Sequence, residues 1–208
     1  GVNLSGYGGV RNVGLMLGSV LGSEVLVFVD DDQVVTDTQF LSRALEGIGQ
    51  QDGQGRVVLA KSGYYVDDAG SYVLPGQTPW SDTFWRQREL YNKALGMAMK
   101  PPRIRPSSLA FGGCMALHRD MYCNVSFDPW AVRGEVIDYV INVRMHGGYM
   151  FLDSEGPIVH RPPSVTSQVV DEALDPARAG SAITVDLTLP FDDHVGQAVL
   201  LAVREWER

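Results

Sequence analysis

Apolar and polar positions along this chain switch between two periods. Val10, Val13, Leu17, Val20 and Leu21 recur at helical spacing after the glycine-rich turn Gly6-Tyr7-Gly8-Gly9, and Gly22 stands where that helix would stop. Glu24-Val25-Leu26-Val27-Phe28-Val29 then runs without a break, as expected of a strand covered on both faces. Phe40, Leu41, Leu45 and Ile48 mark a second helix over 38–48, ended by Gly49, and a polar loop at 50–55 leads to a strand over 56–60. Helix, strand, helix, strand is the order of a layered α/β domain. Short aromatic strands from 61 to 79 predict a hairpin with Asp67-Asp68-Ala69-Gly70 at its tip. A helix over 82–99, a basic proline-bracketed loop at 100–106, a strand over 109–117 and an amphipathic helix over 133–146 follow. Short strands at 149–153 and 157–160 and a last helix over 192–206 complete the pattern.

With 208 residues, 45% of them hydrophobic and 20% charged, the chain can bury one sizeable core. The net charge of −8 argues against a nonspecific nucleic-acid binder, which would have to neutralise backbone phosphates. Cys114 and Cys123 are too few for a disulfide framework and lack Cys-x-x-Cys spacing, so a reduced cytosolic setting is expected. No apolar stretch reaches the ~18 residues of a membrane span. The chain opens at Gly1 in what reads as a loop, so an upstream segment, with any signal or anchor, is expected outside it. The expected location is the cytoplasm, with membrane association only through segments beyond this chain; homo-oligomer formation is left open.

The candidate chemistry starts at the strand end. Asp30-Asp31-Asp32 places three carboxylates together at the carboxyl end of a strand, the side of an open α/β sheet where ligands bind, and they repel one another unless a cation shares them. Mg²⁺ and Mn²⁺, hard ions that bridge carboxylates to phosphate, suit that arrangement; a solvated acidic turn is the alternative. Gly8-Gly9-Val10-Arg11-Asn12 would let a ligand approach the backbone, with Arg11 facing an anionic group. His160, before Arg161-Pro162-Pro163, could complete a mixed carboxylate and histidine metal site, although a histidine there is also an ordinary loop residue. Trp80, Trp85 and Trp130 are candidates to stack on a sugar ring or to sit in the core.

In order and separation these pieces resemble the nucleotide-sugar glycosyltransferases of the GT-A fold, particularly family 2. The resemblance rests on Gly9-Val10-Arg11-Asn12-Val13-Gly14-Leu15, Val27 to Asp32, Phe111-Gly112-Gly113-Cys114-Met115-Ala116-Leu117, Arg133-Gly134-Glu135-Val136-Ile137-Asp138 and Ile158-Val159-His160, and covers residues 6 to 163. It implies a Rossmann-like mixed sheet flanked by helices and lacking its first strands in this chain, with a catalytic domain over 1–163 and a helical extension over 164–208. It also implies metal-dependent transfer of a hexose from a nucleoside-diphosphate sugar to a carbohydrate or other hydroxyl acceptor, by an inverting route. Asp30 and Asp32 would be the Asp-x-Asp motif around Asp31, with Asp32 the more direct metal ligand and His160 closing the shell of Mn²⁺ or Mg²⁺. Gly9, Arg11, Asn12, Asp30, Asp31, Gly112 and Gly113 would line the nucleotide-sugar site. The aspartate that usually serves as base is replaced by Val136, which leaves Glu135 or Asp138 for that role. A nucleotidyltransferase-like enzyme and a noncatalytic GT-A fragment are the rival readings.

Overall fold

Residues 6–72, 86–131, 134–161, 182–185 and 198–203 are described by the structure, a computed structural model. Among them, in chain order, are α1 (Tyr7–Leu21), β1 (Val25–Asp30), β2 (Gln33–Val34), α2 (Phe40–Leu45), β3 (Ala60–Val66), α3 (Gln87–Ala98), β4 (Ile104–Pro106), β5 (Cys114–His118), α4 (Arg119–Tyr122), α5 (Glu135–Met145), β6 (Met150–His160), β7 (Ala182–Val185) and β8 (Ala198–Val203). The strands form one mixed sheet in the order β2-β6-β3-β5-β1-β8-β7, with β4 also on β6. The molecule is thus α/β, an open mixed sheet with helices on both faces.

β1 shows how the sequence builds the layers. Its side chains alternate, so Leu26 and Phe28 enter one core with Leu15 of α1 and Tyr139, Val140 and Val143 of α5. Val25, Val27 and Val29 enter the opposite core with Phe40 and Leu45 of α2 and Leu95 of α3. Burial on both faces explains the unbroken apolar run, although β1 lies antiparallel to both its neighbours, β5 and β8. The same alternation turns Asp30 toward the α1 and α5 side. β3 and β6 are the parallel pair, and their register shifts between Ser62 and Tyr64, beside Gly63.

Several elements differ from expectation. α1 starts at Tyr7, so the predicted glycine turn is helical; Gly8 packs so closely on the Asp128 carbonyl that a side chain there would collide with it. Its buried stripe is Gly8, Arg11, Leu15 and Gly18, while Val20 is exposed. Gly18 lies against Leu26, so small residues set the approach of helix to sheet. The predicted strand at 56–60 is reduced to a single bridge between Gln51 and Val57, and the strand proper is β3. The predicted aromatic hairpin places only β3 and its turn among the described residues, with Asp67 Oδ1 accepting from the Ala69 and Ser71 amides. The two short strands at 149–160 are the single strand β6. Within the predicted 192–206 helix, the described residues form strand β8: Ala-Val-Leu-Leu-Ala-Val is apolar at every position, so its pattern did not distinguish helix from strand. Cys114 is buried and Cys123 exposed, both free.

Away from the Asp triplet, a buried ionic cluster ties β3, β6 and α2 together. Lys61 Nζ donates to the Arg43 and Glu46 carbonyls at 2.5 and 2.7 Å and pairs with Asp153 at 3.1 Å. Arg103, from the predicted basic loop, closes on Asp153 at 2.8 and 3.0 Å and on Glu46 at 2.8 Å. Burial pushes the Lys61 amine below its usual range, with Asp153 opposing it; burial pushes Asp153 up, but Arg103 and Lys61 outweigh it and hold that carboxyl low.

Candidate functional site

Arg11 is the centre of the site. It lies on the buried stripe of α1 with its guanidinium between the β1 end and the α5 start, donating to Glu135 Oε1 at 2.5 Å and to the Asp30 carboxylate at 3.1 and 3.4 Å. Its Nε is buried with no partner among the described residues. The guanidinium also lies 5.8 Å from the ring centres of Tyr7 and Phe127. The side chain expected to face a ligand anion is therefore a counter-ion to two of the chain's own carboxylates.

Burial pushes the Asp30 carboxyl above its ordinary range; Arg11 opposes this, and the neighbouring Asp32 and Asp31 add to it. Its backbone amide donates to Gln33 Oε1 at 3.2 Å. Tyr65 of β3 places its hydroxyl 3.4 Å from Asp30 Oδ2 and 2.9 Å from the Gly113 amide. Gly113 leaves the space that Asp30 and Gln33 fill, and Gly112 leaves the space for Arg11 and Val136; a Cβ at either position would overlap them.

Asp32 turns the other way. Its carboxylate meets His160 Nε2 at 3.0 Å, and its carbonyl accepts from the Arg161 amide at 2.7 Å. The two-residue strand β2 produces this meeting, because Gln33 pairs in register with His160 and Val34 with Val159. Residues 128 positions apart are thereby adjacent. The His160 ring stacks on Tyr65 with 4.9 Å between centres and 15° between planes.

The structure thus brings Arg11, Asp30, Asp32, Gly112, Gly113, Glu135 and His160 to one end of the sheet. Asp31 is exposed in the turn, and Gly9 is buried in the first turn of α1. Asn12 is bound within the fold: its amide donates to the Phe127 carbonyl at 2.8 Å and accepts from the Phe127 amide at 2.9 Å, fixing the 127–131 loop to α1. Asp138 is one turn along α5 from Glu135 and accepts from Asn142 at 2.9 Å. Trp130 is 77% exposed, whereas Arg133, Trp80 and Trp85 lie outside the described residues. Tyr65 and Gln33 went unnoticed in the sequence, since an aromatic residue in a strand and a polar one after an acidic turn read as packing and solvent.

Among the described residues no three His, Cys, Asp or Glu side chains form a group that could hold a metal ion by themselves. Asp32 and His160 offer one oxygen and one nitrogen donor side by side. That pair fits a cation of the Mg²⁺ or Mn²⁺ type, which takes one or two protein ligands and fills its remaining positions with water and phosphate oxygens. The Asp32 contact requires a proton on His160 Nε2, and a cation bound there would replace it.

Comparison with known proteins finds no matching family model, no matching curated protein and no matching solved structure.

Proposed function

We propose that this chain carries the catalytic face of a GT-A-type, metal-dependent glycosyltransferase that moves a hexose from a nucleoside-diphosphate sugar to a hydroxyl acceptor. The observation that carries this reading is the meeting of the Asp30–Asp32 turn with His160, Gly112-Gly113 and Glu135, segments remote in sequence, at one end of the sheet. Asp32 and His160 would hold Mn²⁺ or Mg²⁺, and the cation would neutralise charge on the departing diphosphate. Asp30, kept in place by Arg11 and Tyr65, would lie toward the ribose of a bound donor. The two glycines let Arg11, Asp30 and Gln33 pack against the β5 entry.

The acceptor hydroxyl needs a base, and Val136, which approaches Gly112, cannot be one. Glu135 is closer to the Asp cluster but is bound to Arg11. Asp138 keeps one oxygen outside its Asn142 bond and is the better candidate. A noncatalytic binding domain is the second reading, favoured by the same Arg11 bridge because it neutralises Glu135 and Asp30 together. A panel of nucleoside-diphosphate sugars separates these from a different chemistry. The glycosyltransferase reading expects one donor to raise the unfolding midpoint only with Mn²⁺ or Mg²⁺ present and to be turned over when acceptors are added. Metal-dependent binding without hydrolysis or transfer supports the binding-domain reading, and no stabilisation by any donor contradicts both.

A further inference from the structure

We propose that Tyr65 is a positioning residue of this site, joining its two halves through opposite ends of one side chain. This rests on the metal-diphosphate reading above.

The hydroxyl end fixes the Asp30 half. Gly113 donates its amide to that oxygen at 2.9 Å, so the hydroxyl proton is free to point to Asp30 Oδ2 at 3.4 Å. Asp30 is then held between Arg11 on one side and Tyr65 on the other, and the glycine turn is tied to the same atom. The ring end fixes the Asp32 half: it lies flat against His160, whose Nε2 meets Asp32. Phe111 packs edge-on against the same ring, 4.9 Å between centres. Simple packing would be served equally by phenylalanine, which would bury no hydroxyl. A hydroxyl in this position is costly unless both its bonds are made, and both partners belong to the candidate site. Tyr64, the preceding residue of β3, pairs its ring edge-on with Tyr72 instead.

Two variants separate the two ends. Tyr65→Phe keeps the stack on His160 and removes the ties to Gly113 and Asp30; Tyr65→Leu removes both. Amide hydrogen exchange should show Gly113 losing protection in each variant, while the His160 ring protons lose their upfield ring-current shift only in Tyr65→Leu. Titration with Mn²⁺ in the presence of uridine, guanosine or thymidine diphosphate, well below the unfolding midpoint, supplies the functional readout. Of the two hydrogen bonds lost, the one to Asp30 acts directly on the site, and at ordinary strength its loss predicts binding weakened about 3- to 10-fold in Tyr65→Phe. Tyr65→Leu should lose more than that. If wild type binds and Tyr65→Phe binds within twofold of it while Gly113 has lost protection, Tyr65 is only a packing residue and the inference is overturned. If wild type binds no metal-diphosphate, the functional reading itself fails and the role assigned to Tyr65 falls with it.

Discussion

Replacing Arg11 with Met should cost this protein far more than a surface ion pair would. The guanidinium side chain is 3% exposed, and the carboxylates it serves are 21% exposed at Asp30 and 11% at Glu135. Methionine keeps much of the volume and removes the charge, leaving two neighbouring, largely buried acids without their shared counter-ion. Breaking a buried pair from one side typically costs about 3–5 kcal/mol. For a domain of this size that corresponds to a midpoint lower by roughly 6–20 °C. The pH dependence has a defined sign. Asp30 already titrates above its ordinary range because of burial, and Arg11 is the main influence opposing that. Without Arg11 the carboxyl moves further up. An acid whose folded-state value is raised is relatively more stable folded when protonated, so the deficit of the variant should shrink as pH falls from 7 to 5. Urea unfolding at both pH values measures it, and Arg11→Met/Glu135→Gln should recover part of the loss. A deficit under about 1 kcal/mol at pH 7, or one that widens at pH 5, would show that the bridge carries little energy.

Other expectations follow from the same contacts. Gly113→Ala pushes on the side chains of Asp30 and Gln33, so it should impair metal-diphosphate binding as well as lower the midpoint; Gly63→Ala pushes on the Gly156 carbonyl of β6 and should cost about 1–3 kcal/mol of stability with that binding retained. Calorimetry with a binding titration distinguishes them. Asp153→Asn leaves Lys61 buried with its charge poorly matched and should destabilise by about 3 kcal/mol at pH 7. Because the Asp153 carboxyl is held low, its contribution is complete above the ordinary aspartate range and lost as pH falls below about 4, so the gap between wild type and variant should close there. Once a donor and acceptor are found, Asp138→Asn should lower turnover on the order of 10²-fold with donor binding retained, and Glu135→Gln should lower it less. Equal rates for Asp138→Asn and wild type would exclude Asp138 as base.

The strand that carries the acids was legible because burial on both faces leaves an unbroken apolar run, and β1 is displaced by one residue from the expected segment. The helices at 7–21, 87–98 and 135–145 fall on segments expected to be helical, the first ended by Gly22 as its apolar spacing predicts. The face of α1 did not. Apart from Leu15 its buried stripe is made of glycines and an arginine, residue types that a search for apolar spacing passes over, so Val20 fits the expected apolar spacing and is exposed. β6 was split in two because Ser154, Glu155 and Gly156 interrupt its apolar pattern where the sheet register shifts. β8 was assigned to a helix because six apolar residues in a row carry no period. At the site, the proximity of Asp32 and His160 was anticipated, whereas the Arg11 bridge and the Tyr65 contacts were not. Both depend on which face a side chain takes after the chain has folded, and neighbouring residues in sequence do not encode that.

The central claim is that Asp32 and His160 hold a cation against a diphosphate, and paramagnetic broadening tests it most directly. Sub-stoichiometric Mn²⁺ added with a nucleoside diphosphate to ¹⁵N-labelled protein should broaden the amides of 30–33 and 160–161 and the His160 ring signals. His118, which caps α4, and His146, at the end of α5, should be spared. In Asp32→Ala the selective broadening should disappear while the remaining spectrum stays that of the folded protein. Broadening centred elsewhere, or identical in Asp32→Ala, would contradict the claim.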